Sequence, residues 1–422
     1  MLQVNYIREN RDKVLERLAI RNYDKPELID QIIEIDSSRR KVQTDLDSLS
    51  ASANAAAKEI GDLMRQGLKE AAEVKKAETA VNKQSIQEKS AELEKLEAEL
   101  FELIVQLPNL PHHQVKKGSS ADDNEIVEVV GEPAALNNAC LPHWELAAKY
   151  DLIDFELGVK ITGAGFPVYK GKGARLQRAL INYFLDQATA AGYREMQVPH
   201  MVNEASGFGT GQLPDKEGQM YHAGVDNLFL IPTAEVPVTN LYRDEIVKED
   251  ELPIKNTAYT PCFRREAGSY GAHVRGLNRL HQFDKVELVQ IAHPEKSYEI
   301  LEDMRQYVQR LLESLGLHYR VLRLCGGDMG FTSAMTYDME VWSGAQQRWL
   351  EVSSVSNFET FQSNRLKLRF KGKEGKAQLA HTLNGSALAL PRIVASILEN
   401  NQTEDGILIP NVLRPYTGFD KI

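Results

Sequence analysis

The stretch that decides the fold runs from residue 262 to residue 289 and reads CFRREAGSYGAHVRGLNRLHQFDKVELV. Two apolar segments flank a loop that is rich in glycine and arginine, and both segments contain charged residues. Burying a charge is unfavourable unless a partner compensates it. The pattern therefore indicates two strands whose charged side chains need partners, either in the protein or in a ligand.

Strand alternation sorts these charges onto faces, because successive side chains of a strand point to opposite sides. The side chains that share a face are Arg264 and Glu266 in the first segment, Phe283, Lys285 and Glu287 in the second, and Thr233 and Glu235 in the earlier segment IPTAEVP. Arg265 and Ala234 point to the opposite face. Alternation thus excludes Arg265 from the chemistry of the site.

These residue types suit a polar, partly anionic ligand. Arginine forms paired hydrogen bonds with a carboxylate or phosphate, an aromatic ring can stack on a base, and a carboxylate can hold an ammonium group. Structural ion pairing would explain any single pair of charges. Three charged strand segments around one loop instead favour a site for an amino acid beside a nucleotide.

A third arginine lies near the C-terminal end, in LNGSALALPRIVASILENN at residues 383–401. The pattern predicts a turn followed by a helix, with Arg392 in the first helical turn. Cations are favoured at the opposite end of a helix. Arg392 is therefore better explained by an anion such as a polyphosphate.

The N-terminal quarter predicts a long helical hairpin. From Leu28 to Leu63 apolar residues alternate at spacings of four and three, and Arg39 is the only polar residue on this seam. Such a repeat over five heptads is typical of a coiled coil. The pattern breaks at residues 65–67 and resumes in a second helix to about Leu107. At 1.5 Å per residue each limb is on the order of 50 to 60 Å long.

The hairpin ends at LPNLPHH (residues 107–113), because proline cannot continue a helix. We therefore expect two domains, residues 1–110 and 111–422. The outer half of the hairpin carries the basic residues Lys58, Arg65, Lys69, Lys75, Lys76 and Lys83. Composition alone leaves two explanations open: a solvated coiled-coil surface, or an arm that contacts a phosphate backbone.

The rest of the chain predicts an α+β domain with a mostly antiparallel sheet, since candidate strands outnumber helices and no regular βαβ alternation occurs. A helix is expected from about Arg175 to Ala191. The strand candidates are YREMQVP (193–199), LFLIPTAEV (228–236), AYTPCFRRE (258–266), FDKVELVQIA (283–292), HYRVLRL (318–324), YDMEVWS (337–343) and RWLEVSSVSN (348–357).

Composition narrows the class of protein. The net charge of −10 over 422 residues provides no global attraction for nucleic acid, so such contacts need a local basic patch. Three cysteines stand far apart without metal-ligand spacing, which argues against zinc and disulfides and for a reducing compartment. The segment MLQVNYIRENRDK has no apolar core or cleavage site, and no apolar run reaches membrane length, so we expect neither secretion nor membrane spanning. We expect a cytoplasmic protein that does not enter membranes.

The motifs together resemble one known family. The hairpin, GYREMQVPHMV, TAEVP, the stretch from residue 262 to residue 289, EVSSVSNFETFQSNR and LNGSALALPR are similar, in this order, to bacterial seryl-tRNA synthetases. That resemblance implies an antiparallel-sheet class II synthetase catalytic domain with an N-terminal antiparallel α-helical coiled-coil arm. It also implies a homodimer whose interface includes Pro199 and the helix before it.

The resemblance assigns roles to individual residues. It implies L-serine contacts from Thr233, Ala234, Glu235, Arg264, Glu287, Asn384 and Ser386. It implies ATP contacts from Arg264, Arg265, Glu266, Leu280, His281, Gln282, Phe283, Glu351, Val352, Ser353, Ser354 and Arg392. Arg264 and Arg392 are the expected catalytic residues, and Glu351 and Ser354 the expected Mg²⁺ ligands. Those two ligands differ in strand parity, so a bend must bring them together.

The implied activity has two steps: serine reacts with ATP to give seryl-adenylate, and the seryl group then passes to the 3′ end of tRNA(Ser), and of tRNA(Sec) where that exists. The arm is expected to lie along the long variable arm of the tRNA. Ala272 and His273 depart from the lysine–aspartate pair that is frequent in the family's loop. Two alternatives remain at this stage: a paralogue that loads serine on a carrier protein, and an inactive synthetase-like interaction protein.

Overall fold

The computed structural model describes residues 1–136, 140–215, 218–266, 274–372 and 375–422. Ala272 and His273, where the sequence departs from the family pattern, lie outside the described residues. The chain divides into two compact units. The first comprises residue 1, residues 19–22 and residues 109–422, and is called the catalytic unit below. The second comprises residues 2–18 and 23–108, and is called the arm unit.

Two long helices dominate the arm unit. Its helices are α1 (Val4–Glu9), α2 (Arg11–Ile20, of which the last two residues belong to the catalytic unit), α3 (Glu27–Arg65) and α4 (Lys69–Ile104). Lys89 lies 4.0 Å from Asp45, and Lys75 lies 3.1 Å from Glu59. Moving fourteen residues forward on α3 thus means moving fourteen backward on α4. This register makes the hairpin antiparallel, as the sequence predicted.

One buried charge in the arm unit was not anticipated. Asp36 is 1% exposed and accepts hydrogen bonds from Arg8 at 2.5 Å and from Arg39 at 2.9 Å. Arg39, the polar interruption of the predicted seam, thereby has a structural partner. Two arginines around one carboxylate compensate the burial of its charge.

The catalytic unit combines short and long helices with a large sheet. Its helices are α5 (His143–Lys149), α6 (Phe155–Ile161), α7 (Gly171–Ala190), α8 (Glu204–Thr210), α9 (Glu235–Asn240), α10 (Ser297–Ser314), α11 (Phe361–Leu366), α12 (Leu390–Asn400) and α13 (Arg414–Thr417). Its strands are β1 (Glu125–Val130), β2 (Ile153–Asp154), β3 (Val168–Tyr169), β4 (Arg194–Glu195), β5 (Met201–Val202), β6 (His222–Ala223), β7 (Leu228–Leu230), β8 (Ile246–Lys248), β9 (Ile254–Phe263), β10 (Gln282–Ala292), β11 (Tyr319–Arg323), β12 (Met335–Ser343), β13 (Arg348–Asn357), β14 (Arg369–Lys371), β15 (Ala377–Leu379), β16 (His381–Ala389), β17 (Gln402–Thr403) and β18 (Gly406–Ile407).

The main sheet has the strand order β1-β11-β12-β13-β16-β10-β9-β4. Its neighbours pair antiparallel, except that β4 runs parallel to β9. Helices α7, α10 and α12 pack against its strands. The predicted α+β class and antiparallel sheet are therefore confirmed.

The apolar face predicted for the helix near residue 175 is confirmed in α7. Its buried residues include Leu176, Leu180, Tyr183, Phe184 and Ala188. All five join a continuous core that reaches from the sheet to the helices. Spacing by three and four residues places them on one side of the helix, which is why the sequence was sufficient here.

The predicted turn at residues 383–389 is wrong, because this segment forms the central strand β16. The Asn-Gly-Ser sequence favours a turn in isolation. Here β16 forms backbone ladders with β10 and β13 on its two sides. Gly385 lies at a tight point, since a Cβ there would come within 3.1 Å of Val355 and 3.3 Å of Met304.

Two predicted strands are shorter than expected. Of LFLIPTAEV, only Leu228–Leu230 is a strand. Pro232 has no backbone N–H to donate, and the Thr233 hydroxyl accepts a hydrogen bond from the backbone of Glu235 at 3.2 Å, which starts α9. Of YREMQVP, only Arg194–Glu195 is a strand. The first segment of the opening stretch also leaves the sheet early, after Phe263.

We expect Leu180→Ala to lower the free energy of unfolding of the catalytic unit by about 2 to 5 kcal/mol, because Leu180 is fully buried between helix and sheet. Guanidinium unfolding followed by circular dichroism measures the change. Leu241→Ala is the matched control, since Leu241 is 44% exposed. Equal midpoints for the two variants would contradict the packing described here.

Candidate active site

A cavity of about 510 Å³ opens in the catalytic unit over strands β10, β12, β13 and β16 of the main sheet, beside the first turns of α9 and α12. The residues expected from the sequence that line it are Thr233, Glu235, Arg264, Glu266, Leu280, Phe283, Glu287, Glu351, Val352, Ser353, Ser354, Asn384, Ser386 and Arg392. They come from segments far apart in the chain. Arg264 and Glu287 both line this cavity. The sequence interpretation placed them in a single site.

Two buried carboxylates form the acidic half of the cavity. Glu235 and Glu287 are 6% and 1% exposed. The Asn384 amide donates to Glu235 Oε2 at 2.9 Å and to Glu287 Oε1 at 3.0 Å, so it joins the two acids. Gln362 donates to the other oxygen of Glu235 at 2.6 Å. Their orientation is therefore set by hydrogen bonds.

Lys285 is a site residue that the sequence interpretation did not select. Its ammonium lies 2.8 Å from Glu287 Oε2 and donates to the Thr233 hydroxyl at 3.0 Å. Ser386 also donates to Glu287, at 3.4 Å. Alternation had already placed Lys285 on the same face as Glu287, and that shared face was the signal that could have identified it.

The acidic half has more negative than positive charge. Glu235 and Glu287 are close together, and Lys285 contacts Glu287 directly. Burial, and next the charge of Glu287, raise the pKa of Glu235 to about 7. A ligand cation placed between the carboxylates would relieve this repulsion. The geometry is thus suited to an ammonium group.

The side of the cavity next to the acids is built around Arg264 and Phe283. The Arg264 guanidinium carbon lies 5.2 Å from the centre of the Phe283 ring, and its Nε donates to the carbonyl of Pro232 at 3.4 Å. Arg264 follows the last residue of β9, so its position is not set by strand alternation. The other guanidinium nitrogens can donate to an anion in the cavity.

Glu266 and Arg279 form an ion pair at the edge of the cavity. The backbone of Glu266 has φ 49°, a left-handed conformation, and its N–H donates to the side chain of Gln219 at 3.1 Å. Arg265, between Arg264 and Glu266, is exposed and does not line the cavity. Strand β9 ends at Phe263, before Arg265, but Arg265 still points away from the cavity, as strand alternation predicted.

Glu351 and Ser354 reach the same cavity through an irregularity in β13. Asp338 pairs with Ser354 and Met339 with Ser353, but Glu340 pairs with Glu351, so Val352 is an extra residue. A β-bulge of this kind re-aims the side chains beside it. This bulge is the bend that brings Glu351 and Ser354 together although they differ in strand parity.

Asp338, on the neighbouring strand β12, was not expected from the sequence. It lines the cavity and pairs across the ladder with Ser354. Burial and the Glu351 carboxylate raise the pKa of Asp338 well above its usual range. Its Oδ1 accepts no hydrogen bond from the residues that the structure describes. This region therefore offers a carboxylate and a hydroxyl near an incompletely bonded acid.

Arg392 lies in the first turn of α12, as predicted. Its Nη1 donates to the backbone carbonyl of Glu351 at 2.6 Å and lies 3.6 Å from the Glu351 carboxylate. Its Nε donates to the carbonyl of Asn278 at 3.2 Å. Arg392 is thus bonded to two segments that line the cavity, and its side chain is 30% exposed.

Besides Arg265, three residues expected from the resemblance lie elsewhere. Ala234 is fully buried and packs with Val198 and Val238. His281 lines a second cavity of about 760 Å³ and lies 2.8 Å from the Tyr221 hydroxyl. Gln282 lines a small pocket of about 100 Å³. Each of these three residues is a sequence neighbour of a residue that lines the 510 Å³ cavity.

The basic residues of the arm unit are at its surface. Lys58, Arg65, Lys69, Lys76 and Lys83 are exposed. Arg65 and Lys76 pair with Asp62 and Glu73 within their own helices, and half-buried Lys75 pairs with Glu59 of the other helix. Exposed ion pairs are weak and screened by salt. Such pairs can exchange an acidic partner for a phosphate.

The described residues bear on two expectations from composition, which concern membrane spanning and metal binding. No helix among them is long and apolar enough to cross a membrane. Within the same residues, no group of three or more histidine, cysteine, aspartate or glutamate side chains could hold a metal ion.

Comparison with known proteins assigns both parts of the chain. Residues 1–111 match the family model of the seryl-tRNA synthetase N-terminal domain, and residues 220–401 match that of the class II tRNA synthetase core domain for G, H, P, S and T. The serine–tRNA ligase of Salinibacter ruber is 51% identical over 424 residues, which cover 100% of this chain and 99% of that protein.

Solved structures agree over the whole length. A seryl-tRNA synthetase from Pyrococcus horikoshii, crystallised with ATP, has a TM-score of 0.93 at 32% identity and covers 100% of this chain and 99% of its own. The cytoplasmic serine–tRNA ligase of Naegleria fowleri, in complex with AMP, has a TM-score of 0.88 at 26% identity, with 100% and 98% coverage.

We expect Glu235→Gln to remove a pH dependence of stability. The folded state raises the pKa of Glu235 from 4.5 to about 7, so it binds a proton more tightly than the unfolded state. The wild-type free energy of unfolding therefore contains a contribution that falls as pH rises from about 4.5 to about 7. Unfolding curves between pH 4 and pH 8 should diverge in this window, with the variant more stable at pH 8 by an amount on the order of a few kcal/mol.

Glu404→Gln is the control for this measurement, because Glu404 is exposed and lies outside the cavity. Its curve should run parallel to that of the wild type. A Glu235→Gln curve that also stays parallel across the window would contradict the burial and repulsion described for Glu235.

Proposed function

The chain belongs to the family of seryl-tRNA synthetases, and we propose that it is a serine–tRNA ligase that activates L-serine with ATP and transfers the seryl group to tRNA(Ser). The observation that carries this proposal is the hydrogen-bonded network of Glu235, Asn384, Glu287 and Lys285 next to Arg264. It places an acidic pocket beside a guanidinium group, which is the arrangement that a zwitterionic amino acid requires.

Serine would bind with its ammonium group toward Glu235 and the Thr233 hydroxyl. Burial and, next, the charge of Glu287 raise the pKa of Glu235, and an ammonium group would offset the repulsion between the two carboxylates. The substrate hydroxyl would face Glu287, with Asn384 and Ser386 next to it. Both of these side chains already donate to Glu287, so a small hydroxyl can join an existing network.

This network also supports selectivity for serine. Alanine has no hydroxyl, so it would leave polar groups of the buried pocket unpaired, a loss of about 1 to 3 kcal/mol for each group. Threonine has the hydroxyl but adds a methyl group to a pocket whose walls are held by hydrogen bonds. Alanine is thus rejected because it leaves hydrogen-bonding groups unpaired, and threonine because its methyl group needs more space.

Adenylate formation joins the two substrates across Arg264. The carboxylate of serine attacks the α-phosphorus of ATP, the bond from that phosphorus to the bridging oxygen breaks, and pyrophosphate leaves. Arg264 would hold the carboxylate and the α-phosphate together, and Phe283 would stack on the adenine. Positioning and neutralisation of charge carry most of the catalysis in such a reaction.

The polyphosphate would lie toward Glu351, Ser354 and Arg392. Carboxylate and hydroxyl oxygens are the donors that Mg²⁺ prefers, and the Asp338 oxygen without a bonding partner among the described residues is consistent with a cation nearby. Glu351 and Ser354 would hold the metal ion, which supplies charge neutralisation when bound. Arg392 would contact the γ-phosphate from the first turn of α12.

In the second step the terminal ribose hydroxyl of the tRNA attacks the seryl carbonyl carbon and AMP leaves. The arm unit would lie along the long variable arm of tRNA(Ser), and its basic outer half would contact phosphates. The homodimer and the use of tRNA(Sec) belong to the same proposal and rest on the resemblance. The cytoplasmic location is also part of the proposal, and composition supports it.

We expect Arg264→Ala to abolish serine-dependent exchange of pyrophosphate into ATP, because the variant cannot hold the carboxylate and the α-phosphate together. A loss of about 10²- to 10³-fold or more is expected, because removing a single donor that stabilises a transition state costs about 10² to 10³. Arg369→Ala is the control, since Arg369 is exposed on β14, away from the cavity. Near-normal exchange in Arg264→Ala would overturn the assignment of this residue.

We expect deletion of residues 28–105 to separate the two steps. The deletion removes nearly all of α3 and α4 and leaves the described cavity, which belongs to the catalytic unit, without a change in its residues. Pyrophosphate exchange should persist within a few fold, whereas charging of tRNA(Ser) should fall by orders of magnitude. Charging at the wild-type rate would show that the arm is structural only.

A further inference from the structure

A buried polar network behind the cavity involves the last turn of α12. Glu399 is fully buried and accepts hydrogen bonds from the backbone of His143 at 2.9 Å and from the amide of Gln346 at 2.8 Å. Its carboxylate also contacts His143 Nδ1, at 2.7 Å, and the hydroxyl of Ser343. None of the steps described above uses these groups.

His143 connects Glu399 to the loop that returns to β10. Its Nε2 accepts the backbone N–H of Leu277 at 2.8 Å, so its Nδ1 carries the proton and donates it to Glu399. Gly276 has φ 69°, and a Cβ there would lie 2.2 Å from His143 Nε2. The residue before Leu277 must therefore be glycine for the backbone to approach the imidazole this closely.

Gln346 makes a second connection to the same loop. Its Oε1 accepts from the Asn278 side chain at 2.9 Å while its Nε2 donates to Glu399. The backbone carbonyl of Asn278 accepts from Arg392 Nε at 3.2 Å. Residues 277 and 278 are thus linked to both ends of α12: to Glu399 through His143 and Gln346, and to Arg392 directly.

The ionisation of Glu399 is consistent with an anchoring role. Burial alone would raise its pKa, but the hydrogen bonds from His143 and Ser343 together with the electrostatic interaction with His143 outweigh burial, and the pKa of Glu399 lies below its ordinary value. An ionised carboxylate accepts stronger hydrogen bonds than a neutral one. Glu399 is therefore ionised at neutral pH and accepts strong hydrogen bonds.

We propose that His143, Gln346 and Glu399 are positioning residues that hold Arg392 and residues 277–280 in place for ATP. The proposal rests on the proposed function, and it adds residues outside the cavity to the reaction. The serine pocket is oriented by a different set of contacts, which join Gln362, Asn384 and Lys285 to Glu235 and Glu287. Disturbing the network should therefore weaken ATP binding and leave serine binding unchanged.

The direct test is Gln346→Ala, because Gln346 is only partly buried and lines neither large cavity. Titration calorimetry with Mg·ATP and separately with L-serine gives both dissociation constants. We expect the constant for ATP to rise about 3- to 10-fold, as the loss of the hydrogen bond between Gln346 and Asn278 predicts, and that for serine to change less than twofold. His143→Ala, which cuts the link to Leu277, should act in the same direction.

Gln402→Ala is the matched control. Gln402 also bonds to this region, donating to the backbone carbonyls of Glu399 and Leu141, but it does not connect to residues 277–278. If Gln402→Ala weakens ATP binding as much as Gln346→Ala, the effect is general destabilisation and the proposal is wrong. The proposal is also wrong if Gln346→Ala leaves ATP binding unchanged or weakens both ligands equally.

A double-mutant cycle tests whether the network acts through Arg392. If it does, Gln346→Ala should change the ATP dissociation constant by less than twofold in an Arg392→Ala background. Additive effects would overturn the link to Arg392. Serine-dependent pyrophosphate exchange by the wild type is measured in parallel: its absence would overturn the proposed function and this inference together, whereas normal exchange with an unaffected Gln346→Ala overturns this inference alone.

Discussion

Strand β10 forms backbone ladders with β9 on one side and with β16 on the other. Strand β10 lies inside the sheet, and Lys285 and Glu287 are only 5% and 1% exposed at the floor of the cavity. Each charge would be strongly unfavourable alone, and each compensates the other at 2.8 Å. The rest of the site depends on this pair, since its partners on the neighbouring segments are placed to complete its hydrogen bonds.

The pairing of β10 with β16 places further polar side chains next to Lys285 and Glu287. Glu287 is opposite Ser386 in the ladder, and Val289 is opposite Asn384. The ladder therefore brings Asn384 and Ser386 within reach of the buried acid. Asn384 then extends the network to Glu235, which lies on helix α9 outside the main sheet. One register thus aligns three separate segments of the chain around a single pocket.

Helix α12 links the chemistry of the cavity to the core. Its apolar residues Ile393, Val394 and Ile397 are buried, which fixes the helix on the sheet. Arg392 at one end and Glu399 at the other are then held at a constant separation of roughly 10 Å, from the 1.5 Å rise per residue. The helix can therefore set the position of a loop that is linked to both of its ends. An arginine on this helix can then meet a polyphosphate without reorganisation.

The sequence by itself determined the elements whose side-chain periodicity is strong. The seam from Leu28 to Leu63, the face of α7 and strands β10 and β13 were all predictable, because apolar spacing reports which side of an element is buried. Alternation likewise grouped Phe283, Lys285 and Glu287. It assigned Thr233 and Glu235 to a common face for the wrong reason, since they belong to a turn and the start of a helix.

Only the tertiary structure decided how the site is completed. The strand character of residues 381–389 depends on two neighbours distant in sequence, which override the local turn preference of Asn-Gly-Ser. The bulge at Val352, the unpredicted Asp338 and the network around His143 and Glu399 likewise depend on pairing across the fold. Local patterns record burial and periodicity, whereas the partner of a buried polar group is chosen by long-range contacts that no local pattern contains.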